Sequence, residues 1–184
     1  MNAAVAQAIC GAEAVALAGG RQVVLAPVTP ASKPLIAAAL LRLSPESSRR
    51  RFFTPRFWMS DAELDALTNL DGVNRFAIGA TAVAIDGKAE GLGIARYVRE
   101  AGEPRAAEAA VVVVDAWQRL GLGKLLLRRL AAEALARGID RLRGIVLQDN
   151  DPMLGLLTRH APGLALIRTD GHLQVEVRLD VRRL

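Results

Sequence analysis

Residues 117–130 read WQRLGLGKLLLRRL. Gly121 and Gly123 stand one residue apart at the head of a leucine-rich run with helical spacing. The β-branched stretch AAEAAVVVVD (106–115) comes directly before them. A helix that begins there turns the unpaired N–H groups of its first turn outward. Its dipole favours an anion at that end, and residues without side chains let a phosphate reach the backbone. A pyrophosphate is the natural guest; a tight turn with no ligand is the alternative that glycines alone leave open. Two phosphate loops of other spacing are ruled out. G-x-x-x-x-G-K-[ST] needs glycine where Gln118 stands and Ser or Thr where Leu125 stands, and the dinucleotide fingerprint needs a third glycine where Leu126 stands.

Other chemistries are poorly served. Cys10 is the single cysteine, so neither an intramolecular disulfide nor a thiolate metal cage can form, which suits a cytoplasmic location. His160 and His172 lie in different surroundings, so no metal site is expected. The net charge is +5, but the only lysines are Lys33, Lys88 and Lys124. That arginine skew, beside abundant alanine, reads as coding bias rather than a binding patch. Aromatic residues make up 4%, too few for base-stacking platforms, so no nucleic-acid partner is expected. No uncharged apolar run of about 18 residues occurs in the body of the chain, so no membrane span is expected. Residues 1–20 lack a basic leading segment and carry Glu13, and read as a loosely ordered tail or short helix rather than a secretory signal.

The elements that must position the glycines follow from hydrophobic periodicity. RQVVLAPVT (21–29) reads as a strand and PASKPLIAAALLRL (30–43) as a helix. Ser44-Pro45-Glu46 opens a second helix, and Ser60 with Glu63 has capping-box spacing for a third. Residues 74–100 read as two strands joined at Asp86-Gly87, a hairpin signal. Residues 106–115 form a central strand, and 121–137 a helix ended by Gly138. RLRGIVLQ (141–148) is a strand, and DNDPMLGLLTRH (149–160) a helix with Pro152 in its first turn. A strand pair across Asp170-Gly171 closes the chain. The class is α/β, in the α+β sense.

One spacing does fit the loop: Q/R-x-x-G-x-G/A, as Gln118-Arg119-Leu120-Gly121-Leu122-Gly123. With it, the chain resembles the GNAT superfamily of acetyl-CoA-dependent N-acetyltransferases over about residues 21–170. More closely, it is similar to the acetyltransferase domain of bacterial protein lysine acetyltransferases. The residues behind this are LRLSPESSRRRFF (41–53), GIARYVRE (93–100), AEAAVVVVDAWQRLGLGKLLLRRL (107–130) and LQDNDPML (147–154). The resemblance implies a GNAT-like mixed, mostly antiparallel central sheet of about seven strands flanked by about four helices. It implies a tail at 1–20 and one GNAT domain at 21–184. It also implies acetyl-CoA as co-substrate, bound by the backbone of Arg119, Leu120, Gly121, Leu122, Gly123 and Lys124 at the pyrophosphate. Val111, Val112 and Val113 would hold the pantetheine arm through their main chain, with one N–H facing the thioester oxygen, and Asn150 would place an amide near the cofactor. The loop departs from the family in having Arg119 and Leu120 where Gly and Arg are common.

A lysine amine has a pKa of about 10.4, so neutralising it at pH 7 costs about 4–5 kcal/mol, which a general base offsets. By its position alone, Glu108 reads as a strand-edge carboxylate in solvent. The resemblance makes it that base, in a direct transfer within a ternary complex. Leu157 stands where many family members carry an acidic tyrosine, and the sole tyrosine, Tyr97, lies on another strand. The run Arg49-Arg50-Arg51 reads as a solvated face, with an acidic acceptor or the 3′-phosphate of coenzyme A as alternatives. Phe52, Phe53, Phe57 and Trp58 are expected in the core, although the resemblance implies that the same region walls the acceptor cleft. The expected acceptor is a protein lysine, with a small amine as the alternative. A non-catalytic acyl-CoA-binding module and a homodimer stay open.

Overall fold

A computed structural model describes residues 11–55, 58–83 and 87–180. Cys10, Phe57 and Asp86 of the expected hairpin turn lie outside the described residues. The strands are β1 (Glu13–Ala16), β2 (Gln22–Pro27), β3 (Arg75–Val83), β4 (Ala89–Glu100), β5 (Glu103–Val113), β6 (Arg141–Leu147), β7 (Leu164–Thr169) and β8 (His172–Arg178). The α-helices are α1 (Lys33–Leu40), α2 (Pro45–Phe52), α3 (Asp61–Thr68), α4 (Leu122–Ala136) and α5 (Asp151–His160). One eight-stranded sheet runs in the order β1-β2-β3-β4-β5-β6-β8-β7. All neighbouring pairs are antiparallel except β5 with β6.

The eighth strand comes from the segment read as a tail or short helix. Glu13–Ala16 pairs with Gln22–Leu25 across a tight turn containing Gly19 and Gly20, both with positive φ. Four residues carry too little periodicity to be read as an edge strand. Helix α1 stops at Leu40 instead of running to residue 43. Ser44 precedes Pro45, and the proline ring excludes the helical conformation from the residue before it. Ser44 is accordingly extended, and its hydroxyl caps α2 by accepting from Ser47 N–H at 3.1 Å.

The capping box expected at α3 is formed, with Ser60 N–H donating to Glu63 Oε2 at 2.7 Å and Glu63 N–H to Ser60 Oγ at 3.3 Å. Helix α4 ends as Gly138 requires, in the left-handed region with φ 77°. There Gly138 N–H meets Leu135 O at 2.9 Å and Ile139 N–H meets Ala134 O at 3.0 Å, the paired bonds of a Schellman motif.

The sheet divides two apolar layers. On one face α4 buries Leu122, Leu126, Leu130 and Ala134 against Ala95, Tyr97 and Val113, while α5 lays Met153, Leu154 and Leu157 over Val146, Leu173 and Val175. On the other face Ile36 of α1 and Leu64 and Leu67 of α3 pack on Ala77 and Ile94. Successive residues of β5 serve opposite layers, Val113 the first and Val112 the second, as a strand period of two requires. Leu126 is fully buried at the centre of the α4 layer. Leu126→Ala should therefore lower the unfolding free energy by about 2–5 kcal/mol, read by urea denaturation.

Candidate functional site

Strands β5 and β6 run together only over Ala106↔Arg141, Ala107↔Leu142 and Glu108↔Arg143. Past Glu108 they part, while β5 keeps its pairing with β4 as far as Gly93↔Val113. Two bonds give the alternation. Val114 N–H donates to Leu92 O on β4, and Arg105 O accepts from Asp140 N–H on the β6 side. Even-numbered residues of β5 thus turn their main chain to β4, and odd-numbered ones to β6. Val112 is committed to Ile94, whereas the N–H groups of Val111 and Val113 face the opening. Gly144 lies where β6 turns away; a Cβ there would stand 3.1 Å from Ala109 O.

Helix α4 starts beside that opening. Gly121 is its N-cap with φ 88°, in the left-handed region, and it brings no capping side chain. The first bond of the helix is Leu125 N–H to Gly121 O at 3.0 Å. The N–H groups of Leu122, Gly123 and Lys124 precede it and have no helical partner. A Cβ on Gly123 would meet only Leu156 and Val113 at ordinary separations of 3.7 and 3.9 Å, so packing alone does not demand glycine there. Within the loop, Leu120 packs on the core and Leu122 is fully buried, while Arg119 and Lys124 are exposed. What the loop presents is main chain.

Glu108 is exposed on the opposite face of the sheet, the face of α1–α3. Beside it a cleft is lined by Ile36, Met59, Ile94, Val112, Arg51 and Arg96. Burial pushes the Arg51 guanidinium down to about 10, Arg96 adds to that shift, and Glu108 opposes it. The arginine run is therefore three different things. Arg49 bridges Glu46 at 3.0 Å and Asp149 at 2.7 Å, Arg50 pairs with Glu46 at 2.8 Å, and Arg51 turns into the cleft. Phe52 lines the cleft, but Phe53 is 52% and Trp58 74% exposed, so those two stand outside the core in which they were expected.

Comparisons with known proteins decide the family. Residues 39–161 match the model of the Acetyltransferase (GNAT) family. The chain belongs to the GNAT acetyltransferase family. It is similar to the acetyltransferase PA5475 of Pseudomonas aeruginosa, 31% identical over 137 residues, which cover 74% of this chain and 73% of that one. The GNAT domain of S. lividans PAT superposes with a TM-score of 0.80 at 30% identity, over 91% of this chain and 97% of that chain. A cAMP-binding acyltransferase from Mycobacterium smegmatis superposes with a TM-score of 0.62 at 27% identity over 92% of this chain, which spans 47% of that chain.

Several expected residues of this GNAT domain have structural partners. Asn150, 7% exposed, caps α5: its Oδ1 accepts from Met153 N–H at 3.3 Å. Tyr97 is fully buried, donates to Val73 O at 3.1 Å, and is no part of the opening. His160 sits exposed at the end of α5, its imidazole held below its ordinary value by partial burial and by Lys124 and Arg159. Gln118 spends its amide on the chain, donating to Val113 O at 3.0 Å and Ser47 Oγ at 2.9 Å.

That amide belongs to a network that sequence reasoning missed. Asp115 accepts from Ser44 N–H at 2.9 Å, Ser44 Oγ at 2.6 Å and Ser47 Oγ at 2.8 Å. It ties the start of α2 to the turn that leads into α4. Ser44 was visible as a cap, but nothing in the sequence links it to a carboxylate 71 residues away. Partial burial raises the Asp115 pKa, yet the Ser44 and Ser47 hydrogen bonds outweigh it and hold the carboxyl below its ordinary range.

A depressed carboxyl contributes stability that is fully present above its unfolded pKa, about 3.9, and is lost as pH falls through the folded value. Asp115→Asn should cost about 1–2 kcal/mol at pH 7. The gap to the wild type should close as pH falls below about 4, which thermal melts across pH will register.

Proposed function

We propose that the protein transfers an acetyl group from acetyl-CoA to a primary amine, the side chain of a protein lysine, with Glu108 as general base. The observation that carries this reading is the parting of β5 and β6 beside the uncapped start of α4. Together they offer main-chain N–H groups in a line: Leu122, Gly123 and Lys124 at one end, Val113 and Val111 along the opening, and Glu108 where it closes. That order suits an elongated ligand with a diphosphate at one end and a reacting carbonyl at the other. A related fold supports the cofactor: yncA from Salmonella typhimurium, at TM-score 0.62 and 19% identity, was solved with its cofactor acetyl-CoA. The match to the GNAT domain of S. lividans PAT and the stretches LRLSPESSRRRFF and LQDNDPML support a lysine acceptor.

Acetyl-CoA supplies the activated acyl carbon. The first turn of α4 receives the diphosphate, where bare N–H groups and the helix dipole favour negative charge. Val111 and Val113 donate to the pantetheine arm, and one of these N–H groups meets the thioester oxygen. Fixed donors of this kind are worth about 3–4 kcal/mol where charge develops on an oxygen. Glu108 takes a proton from the incoming ammonium, directly or through one water, and frees the nitrogen lone pair. The C–N bond forms, the nitrogen gives its second proton to water, the C–S bond breaks and the thiolate leaves. A thiol has a pKa of about 8.5, so the thiolate collects its proton from water without the tyrosine that Leu157 replaces.

Glu108→Gln tests the assignment. Turnover of a lysine peptide at neutral pH should fall by about 10²–10⁴-fold. Affinity for acetyl-CoA, measured by isothermal titration, should remain nearly that of the wild type. Turnover that survives the substitution would remove Glu108 from the chemistry.

A further inference from the structure

Arg96 lies on β4, in register with Ala110 of β5, and Glu108 is in register with Val98. Arg96 is therefore the diagonal neighbour of Glu108 on one face of the sheet, about 7–8 Å away by strand geometry. Arg51 comes to the same place from α2, and both guanidinium groups line the cleft. Both are half-buried. Among the described residues neither donates a hydrogen bond or forms an ion pair, although Arg51 lies 4.8 Å from the Phe52 ring centroid.

Carboxylates of the neighbouring strands gather on Arg143 instead. Glu100 and Glu103 meet Arg143 Nη1 at 2.8 and 2.7 Å, and Glu176 meets its Nε at 2.7 Å. Of the residues that line the cleft, the charged ones are Arg51 and Arg96, both cationic, and Glu108 stands beside them without lining it. Partly desolvated charge without a partner is costly and is retained where a ligand completes the pairing. Exposed apolar side chains stand next in the chain to the cleft residues and on the neighbouring strand. Phe53 and Trp58 follow the cleft residues of α2 and precede Met59, and Ile145, 54% exposed, stands on β6 past the parting. A surface of that breadth fits a stretch of polypeptide rather than a free amino acid.

Resting on the reading of this cleft as the acceptor site, we propose that the acceptor lysine lies in a peptide segment with an acidic side chain next to it, held by Arg51 and Arg96. The carboxylate pairs with the two guanidiniums that line the cleft, and the neighbouring apolar residues meet Phe53, Trp58 and Ile145. The lysine amine is thereby delivered beside Glu108.

The test uses three lysine peptides of one length, differing only in Glu, Ala or Arg beside the lysine, with acetyl-CoA and the whole protein. kcat/KM for the Glu peptide should exceed that for the Ala peptide by about tenfold, which is 1.4 kcal/mol, and the Arg peptide should be poorest. Arg96→Glu should reverse the order of the Glu and Arg peptides, and Arg51→Gln should bring the Glu-to-Ala ratio close to one. A ratio between peptides taken on one variant does not depend on how much of that variant is folded. Equal rates for the three peptides on the wild type, or an order unchanged in Arg96→Glu, overturn the inference while leaving acetyl transfer intact. Free lysine or glutamate acetylated faster than every peptide overturns it in favour of a small anionic acceptor. No transfer to any amine overturns the activity reading itself, and this inference with it.

Discussion

A β-strand carries main-chain donors on both edges, and buried donors must find partners. Strand β5 meets that requirement on one edge from Ala107 through Val113 and on the other only as far as Glu108. The rest of the site depends on this half-paired strand. Because β6 leaves, Val111 and Val113 present N–H groups into a gap between two strands that are otherwise held rigidly in one sheet. Because β6 continues in register with β8 to Leu147↔His172, the gap has a second firm wall. The parting needs no flexible element, only a close approach of Gly144 to Ala109 O and a chain that turns away after it.

An opening in a sheet is a weakness unless something spans it, and α2 does. Its Arg49 reaches Asp149 at the end of β6 at 2.7 Å, while Ser44 and Ser47 hold Asp115 at the end of β5. Gln118 links Ser47 to Val113 O and so joins the cap of α2 to the strand end that faces the gap. Exposed ion pairs contribute little stability singly. Their value here is geometric: one short helix touches both walls, and the same helix carries Arg51 into the cleft on the acceptor face. Cofactor side and acceptor side thus share a scaffold.

Local features were legible in the sequence. Gly121, Gly123 and Gly138 marked the two ends of α4, Ser60 with Glu63 marked the start of α3, and the valine run marked a central strand. These signals act over a few residues, and each has one dominant physical cause. Long-range features were not legible. The Asp115 network, the pairing of Arg49 with Asp149 and the turning of Arg51 into the cleft depend on which elements become neighbours. The capping role of Asn150 was not legible for a related reason, since a buried amide that caps a helix and one that meets a ligand look identical in a sequence. Residues 13–16 formed an edge strand because Gln22–Leu25 was there to pair with, not because of any strong preference of their own. Phe53 and Trp58 show that aromatic composition predicts burial only on average: both are exposed, while their chain neighbours Phe52 and Met59 line the cleft.

Amide chemical-shift mapping by NMR on addition of acetyl-CoA tests the central claim most directly. The account predicts large shifts at Val111, Val113, Gly123 and Lys124, with Val112 nearly still because its N–H is spent on Ile94. Equal shifts along 111–113, or shifts that bypass the start of α4, would contradict it.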